Sequence, residues 1–397
     1  MKSRIRISGL AIAAVLLLTF APASGVHAAA PGGDVIKFGV VTSLTGPAGA
    51  YGLSTRCSMD SFAQFINARG GVTVNGKTYT IEFVYGDDKL QISGARAAAE
   101  KLLYTDNVDF FVASFARTMI NAWAPLVMKE KKITLIGGPN FEPRSEWPYL
   151  FHVGAPAKIR SLALCHLMKE KFGAKSVFYI NSDSEEGHQA SRWAEEYKEE
   201  RGLEVKGFLH TTSFARDFYP ILTQVLKTKP DFIMCDLLPG ATALFIKQAR
   251  ELGYQGRIVT INNMPSNIAR WQKIVGVEAS KGFIAFMGDR SERSELGLVN
   301  TEYFDKNCPQ YRSTDISYVL QPHLILLALE KAQSFDPDVL RETLLNEKFQ
   351  TLIKIPLATS GKETFGNRQH ISVPVEFSQI VGNDEVEFLK SFPYVMP

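Results

Sequence analysis

The sequence predicts an α/β protein of two doubly wound, Rossmann-like lobes joined by a multi-strand hinge, and three observations lead there. Short β-branched and aromatic runs alternate with amphipathic stretches, the pattern of βαβ units around a covered parallel sheet. The alternation restarts after His152-Val-Gly-Ala-Pro156. The chain of 397 residues exceeds one ordinary domain and suits two of about 100–200 residues each.

In the first unit the runs Ile36–Thr42, Tyr79–Tyr85, Val108–Ser114 and Ile133–Gly137 read as strands. Between them Ser54–Ala68, Ser93–Leu103 and Ile120–Lys129 read as helices. The second unit opens with helix Ile159–Phe172 and continues with strands Ser176–Asn181, Glu204–His210, Asp231–Asp236 and Arg257–Asn262. Its helices are His188–Arg201, Tyr219–Lys227 and Ala241–Leu252. From about Phe283 onward only helices Tyr318–Lys331 and Asp338–Asn346 stand out, too little for a third domain, so this segment completes the two lobes. The expected division is 29–155 with 284–365 for the first lobe and 156–283 with 366–397 for the second. The chain then crosses near Gly154–Pro156, Gly282 and Gly361–Asn367, a hinge of the kind that closes on a ligand.

Met1-Lys-Ser-Arg-Ile-Arg followed by the apolar run Gly9–Phe20 and a small-residue stretch ending at Ala28 is the pattern of a cleavable secretory signal, residues 1–28. The run is shorter than the roughly 20 apolar residues of a membrane span. No Leu-x-x-Cys lipobox accompanies it, because the first cysteine is Cys57. Removing Lys2, Arg4 and Arg6 leaves basic and acidic residues equal in number. No basic stripe of the kind that tracks nucleic acid is present. Cys57, Cys165, Cys235 and Cys308 lie far apart with no metal spacing. An oxidising compartment permits disulfides, and the spacing alone does not choose a pairing.

Phe38-Gly-Val-Val-Thr-Ser-Leu-Thr-Gly-Pro-Ala-Gly-Ala-Tyr-Gly52 resembles the opening of type I periplasmic binding proteins of the leucine/isoleucine/valine-binding family. Ile66-Asn-Ala-Arg-Gly-Gly71, Asp87-Asp88, Ala97–Leu102, Asp217–Leu222 and Phe245–Gly253 continue the resemblance in the family's order, across the mature chain. It implies a solute held between the lobes and handed to the membrane permease of an ABC importer by a monomer without cofactor. Independently, ligands of open α/β sheets sit at the carboxyl ends of strands, where helix N-termini face them.

The resemblance and the strand ends together nominate ligand-binding residues. Tyr51 stands where the family lays an aromatic ring on the ligand, with packing on its own helix as the alternative. In Ala113–Asn121, Arg117 and Thr118 replace the usual hydroxyl pair; a guanidinium fork fits a carboxylate in two-point fashion, and a salt bridge is the competing role. Ser114 and Thr118 serve equally well as helix caps. Asn140 and Phe141 offer a hydrogen bond and an apolar wall, or simply a Gly-Pro-Asn turn. In the second lobe Glu186 stands where the family has a tyrosine lid. Ala241 falls near the place of the family's acidic ammonium partner, with Asp236 earlier at the strand end. A missing ammonium partner and an added arginine point to an organic acid without an amino group, with an amino acid as the alternative.

No catalytic signature appears: no Gly-x-Ser-x-Gly, His-Glu-x-x-His or Walker loop. The histidines are scattered singly, and Asp87-Asp88 reads as a strand end or cap before a metal site. A sensor that reports its ligand to a signalling partner is the competing function for the same fold.

Overall fold

The computed structural model describes residues 34–393, except 47, 113–115, 139–140, 197, 213, 288–291 and 312–315. The leader-like segment Met1–Ala28 lies outside them. No helix among the described residues is long and apolar enough to cross a membrane.

The described strands form two sheets. The first holds β1 (Val35–Thr42), β2 (Val72–Val74), β3 (Lys77–Asp87), β4 (Phe110–Val112), β5 (Thr134–Ile136) and β6 (Leu150–Gly154). The second holds β7 (Ser176–Ser182), β8 (Glu204–Thr211), β9 (Phe232–Asp236), β10 (Arg257–Asn263) and β11 (Ile284–Phe286). Two later strands, β12 (Thr359–Ser360) and β13 (His370–Ser372), return to the first sheet, and β14 (Val375–Gly382) and β15 (Glu385–Phe392) close the second. The orders are β12-β13-β6-β5-β4-β1-β3-β2 and β15-β14-β11-β10-β9-β7-β8. Pairing is parallel through both interiors and antiparallel at β2, β12, β14 and β15. Phe232–Asp236 is buried throughout, as a strand covered on both faces must be.

Two α/β lobes are therefore present, as the alternation predicts, but two crossings move. Ile284–Phe286 pairs with β10 and β14, so it belongs to the second lobe and not to the first, where residues from 284 onward were expected. His370–Ser372 pairs with β6, so it belongs to the first lobe, although 366–397 was expected in the second. The chain crosses after Gly154, after Phe286 and between Ser372 and Val375. Both displaced strands are only three residues long, too short to show a period of two. The hairpin β14–β15 lies beyond the predicted elements and turns at Asn383-Asp384, between two alternating runs, with Asp384 at φ 54°.

Cys57 on helix Gly49–Ala68 is disulfide-bonded to Cys308, which ends helix Glu295–Asn307. This is the pairing the sequence left open. Cys165 and Cys235 are buried thiols.

Candidate functional site

A cavity of about 500 Å³ lies between the lobes at the carboxyl ends of the parallel strands. Four helices begin at its wall, Gly49–Ala68, Arg117–Lys129, Glu185–Glu196 and Pro239–Glu251, following β1, β4, β7 and β9. Their N-terminal ends give it a partial positive potential.

Close packing of glycine sets the first of these helices. A Cβ on Gly52 would stand 1.9 Å from the Ser43 carbonyl oxygen, so only glycine lets the helix lie this near β1. Gly187 makes the same approach to the Ser182 carbonyl in the second lobe, again at 1.9 Å. Asp88 accepts from the Ser43 hydroxyl and from Leu90 N–H, while Asp87 accepts from Leu44 N–H and the Thr45 hydroxyl. The two aspartates thus brace the loop that presents Tyr51.

Of the residues nominated from sequence, Tyr51, Arg117, Thr118 and Asp236 all line the cavity. Arg117 opens helix Arg117–Lys129, whose N-cap, Ala116, supplies no side-chain acceptor. It is the one cationic side chain among the described lining residues. Burial pushes the Tyr51 hydroxyl well above its ordinary range; the Asp236 carboxylate pushes it further and the Arg160 guanidinium pulls the other way. Tyr51 of the first lobe therefore stands in the field of two charges of the second.

Phe141 is not part of the wall. It is 1 % exposed, stacked on Trp147 and packed beside His152 in the first lobe's core, which corrects its expected role. Ser114 and Asn140 lie outside the described residues, as does the side chain of Glu186. Ala241, near the expected ammonium partner, is buried in the second lobe's core.

Several wall residues escaped the sequence reading. Phe214 and Tyr318 bring aromatic rings from the loop after β8 and from the start of helix Ser317–Ala332. Phe214 is 55 % exposed, a large ring held at the cavity instead of in a core. Leu237 and Leu238 add apolar surface from the second lobe, Leu90 and Met119 from the first. Asn262 donates to Asp236 Oδ1, and Asp183 faces His188 Nε2 at 3.0 Å, so both acids in the wall have partners.

Arg160, 1 % exposed, supports this corner from behind. Its Nε donates to the Ala155 carbonyl at 2.8 Å and one Nη to Asn263 Oδ1 at 3.0 Å, while the guanidinium lies 3.7 Å from the Phe286 ring centroid. It ties the first crossing segment to β10 and so fixes Asn263 in the wall.

Among the described residues no group of three His, Cys, Asp or Glu is placed to hold a metal. The arrangement offers a guanidinium from the first lobe, two acids from the second, helix N-termini from both and apolar rings between, in a cavity of small-molecule size.

A leucine-, isoleucine-, valine-, threonine- and alanine-binding protein of Pseudomonas aeruginosa is 22 % identical over 333 residues, 80 % of this chain and 84 % of that protein. A leucine-binding protein of Thermotoga maritima superposes with a TM-score of 0.75 at 20 % identity, covering 91 % of this chain and 99 % of its own. A solute-binding protein of an ABC transporter from Rhodopseudomonas palustris, solved with 3,4-dihydroxybenzoic acid, does so with 0.73 at 19 %, covering 91 % and 97 %. The sequence profile of the periplasmic binding proteins matches residues 35–384, nearly the whole described structure, and the chain belongs to that family.

Proposed function

We propose that this protein is the periplasmic solute-binding component of an ABC importer and captures an amino-free carboxylate with an apolar, ring-sized body. The observation that carries the ligand class is Arg117, the lone cation of the described wall, facing apolar surface across about 500 Å³. A carboxylate there meets the guanidinium and the start of helix Arg117–Lys129 together. The place of the family's acidic ammonium partner falls near Ala241, an apolar residue buried in the second lobe's core. Phe214, Tyr318, Leu237 and Leu238 suit a ring or branched chain. The aromatic acid held by the R. palustris relative supports the same class.

Mechanistically, the ligand binds first to Arg117, Thr118 and Tyr51. Contacts from the Asp236 side then favour the closed form, which the permease recognises. Differential affinity for the closed form is the whole driving force.

A thermal-shift screen of the unfolded, ligand-stripped and refolded mature chain tests this. Benzoate, hydroxybenzoates and branched aliphatic acids are expected to raise the melting temperature, and Arg117→Ala is expected to lose that response. An acid response that survives Arg117→Ala overturns the ligand class.

A further inference from the structure

A second cavity, of about 260 Å³, opens on the first lobe away from the cleft. Helices Gly49–Ala68, Glu295–Asn307 and Ser317–Ala332 enclose it with β2. The Cys57–Cys308 bond ties the first of these helices to the end of the second, which holds two walls at a fixed separation. Phe65, Val72 and Leu326 supply apolar surface.

His323 stands in this wall at 4 % exposure, and its Nδ1 has no hydrogen-bond partner among the described residues. Burial lowers its pKa to about 4, so the ring is neutral in ordinary buffers. A neutral imidazole carries one N–H, and an orphaned buried N–H is rarer than an orphaned acceptor. The proton therefore belongs on Nε2, and with Nδ1 closed off the ring meets the cavity through that edge. Two opposite charges share the same cavity. Arg69, its guanidinium 5.6 Å from the Phe65 ring centroid, and Glu330 form no salt bridge with each other or with another described residue.

We propose that this cavity binds a small zwitterion with an apolar side chain, an α-amino acid of leucine's size. The carboxylate lies against Arg69 and His323 Nε2–H, the ammonium against Glu330, and the side chain against Phe65, Val72 and Leu326. The volume agrees, since it equals about nine water-sized shares of roughly 30 Å³. An occupant braces two helices whose first turns carry Tyr51 and Tyr318 into the cleft.

The test is histidine side-chain NMR of the mature chain with ¹⁵N-labelled histidine, the His323 signal being assigned by its loss in His323→Gln. L-Leucine should shift that signal saturably. The analogues 4-methylpentanoate and 3-methylbutylamine, each lacking one charge, should bind there about tenfold more weakly or worse. Arg69→Gln and Glu330→Gln should each weaken leucine to a similar degree. Leu327→Trp, which fills the cavity, should abolish the response while leaving the cleft's thermal response to carboxylates in place. The proposal is overturned if leucine leaves the His323 signal unmoved at tens of millimolar. It is equally overturned if Leu327→Trp responds like the parent, or if either singly charged analogue matches leucine.

Discussion

His152 on β6 and His370 on β13 meet Nδ1 to Nδ1 at 2.9 Å, across the pairing of the two first-lobe strands that precede crossings to the second. His152 Nε2 lies 2.7 Å from the Gly138 carbonyl oxygen, so that nitrogen carries a proton. Burial, with the Arg160 charge adding to it, lowers the His152 pKa to about 4, and burial beside His152 pushes His370 well below its ordinary value. Both rings are thus neutral: His152 Nδ1 accepts, His370 Nδ1–H donates, and His370 Nε2 is a bare acceptor without a partner among the described residues.

This pair makes stability depend on pH. The unfolded chain takes up histidine protons near pH 6.5 that the folded chain refuses until about pH 4, so the stability is complete above about 6.5 and is lost as pH falls toward 4. For His152 alone the loss is roughly 3 kcal/mol. Urea midpoints at about pH 7.5 and about pH 4.5 should differ accordingly, and His370→Leu should flatten the dependence. An unchanged slope in that variant would refute the assignment.

The Cys57–Cys308 bond closes a loop of 251 residues. Chain entropy then places its contribution near the upper end of the usual range, about 3–5 kcal/mol. Cys57→Ser with Cys308→Ser should lower the unfolding free energy by that amount. In the parent, Cys165 and Cys235 should resist thiol reagents until the chain unfolds, whereupon both react.

Gly52→Ala places a methyl group 1.9 Å from the Ser43 carbonyl oxygen, a collision with backbone that no rotamer relieves. The helix start must move, and Tyr51 with it. A stability loss of about 1–3 kcal/mol is expected, together with a weaker cleft response to carboxylates. A variant that binds as the parent does would show that the position of Tyr51 is unimportant.

Arg160→Lys keeps the charge but not the fork that reaches Ala155 and Asn263 at once. Chemical denaturation should report a loss of about 2 kcal/mol or more, because buried acceptors are left unmet.

How far the sequence foretold these features depends on where each signal resides. Helix Tyr219–Lys227 has the bounds its apolar spacing gives, and the β1 and β4 strand ends brought Tyr51, Arg117 and Thr118 to one cavity through rules local to the chain. Arg160 was invisible: it sits in an apolar helix, and its partners at Ile261 and Asn263 are about a hundred residues away. Phe214 and Tyr318 reach the wall by the packing of one lobe against the other, which no periodicity encodes. Phe141 failed as a wall residue because Trp147 and His152, both later in the chain, draw it inward.

Arg117 is proposed to select an amino-free carboxylate, and calorimetric titration with 4-methylpentanoate and L-leucine, which differ only by the amino group, reads that choice out in Leu327→Trp, where the first lobe's second cavity is filled. The acid should bind this variant at least about tenfold more tightly than leucine. Arg117→Ala in the same background should remove that binding, as expected for loss of a charge-assisted pair. Tighter binding of leucine, or acid binding that survives Arg117→Ala, would refute the selection.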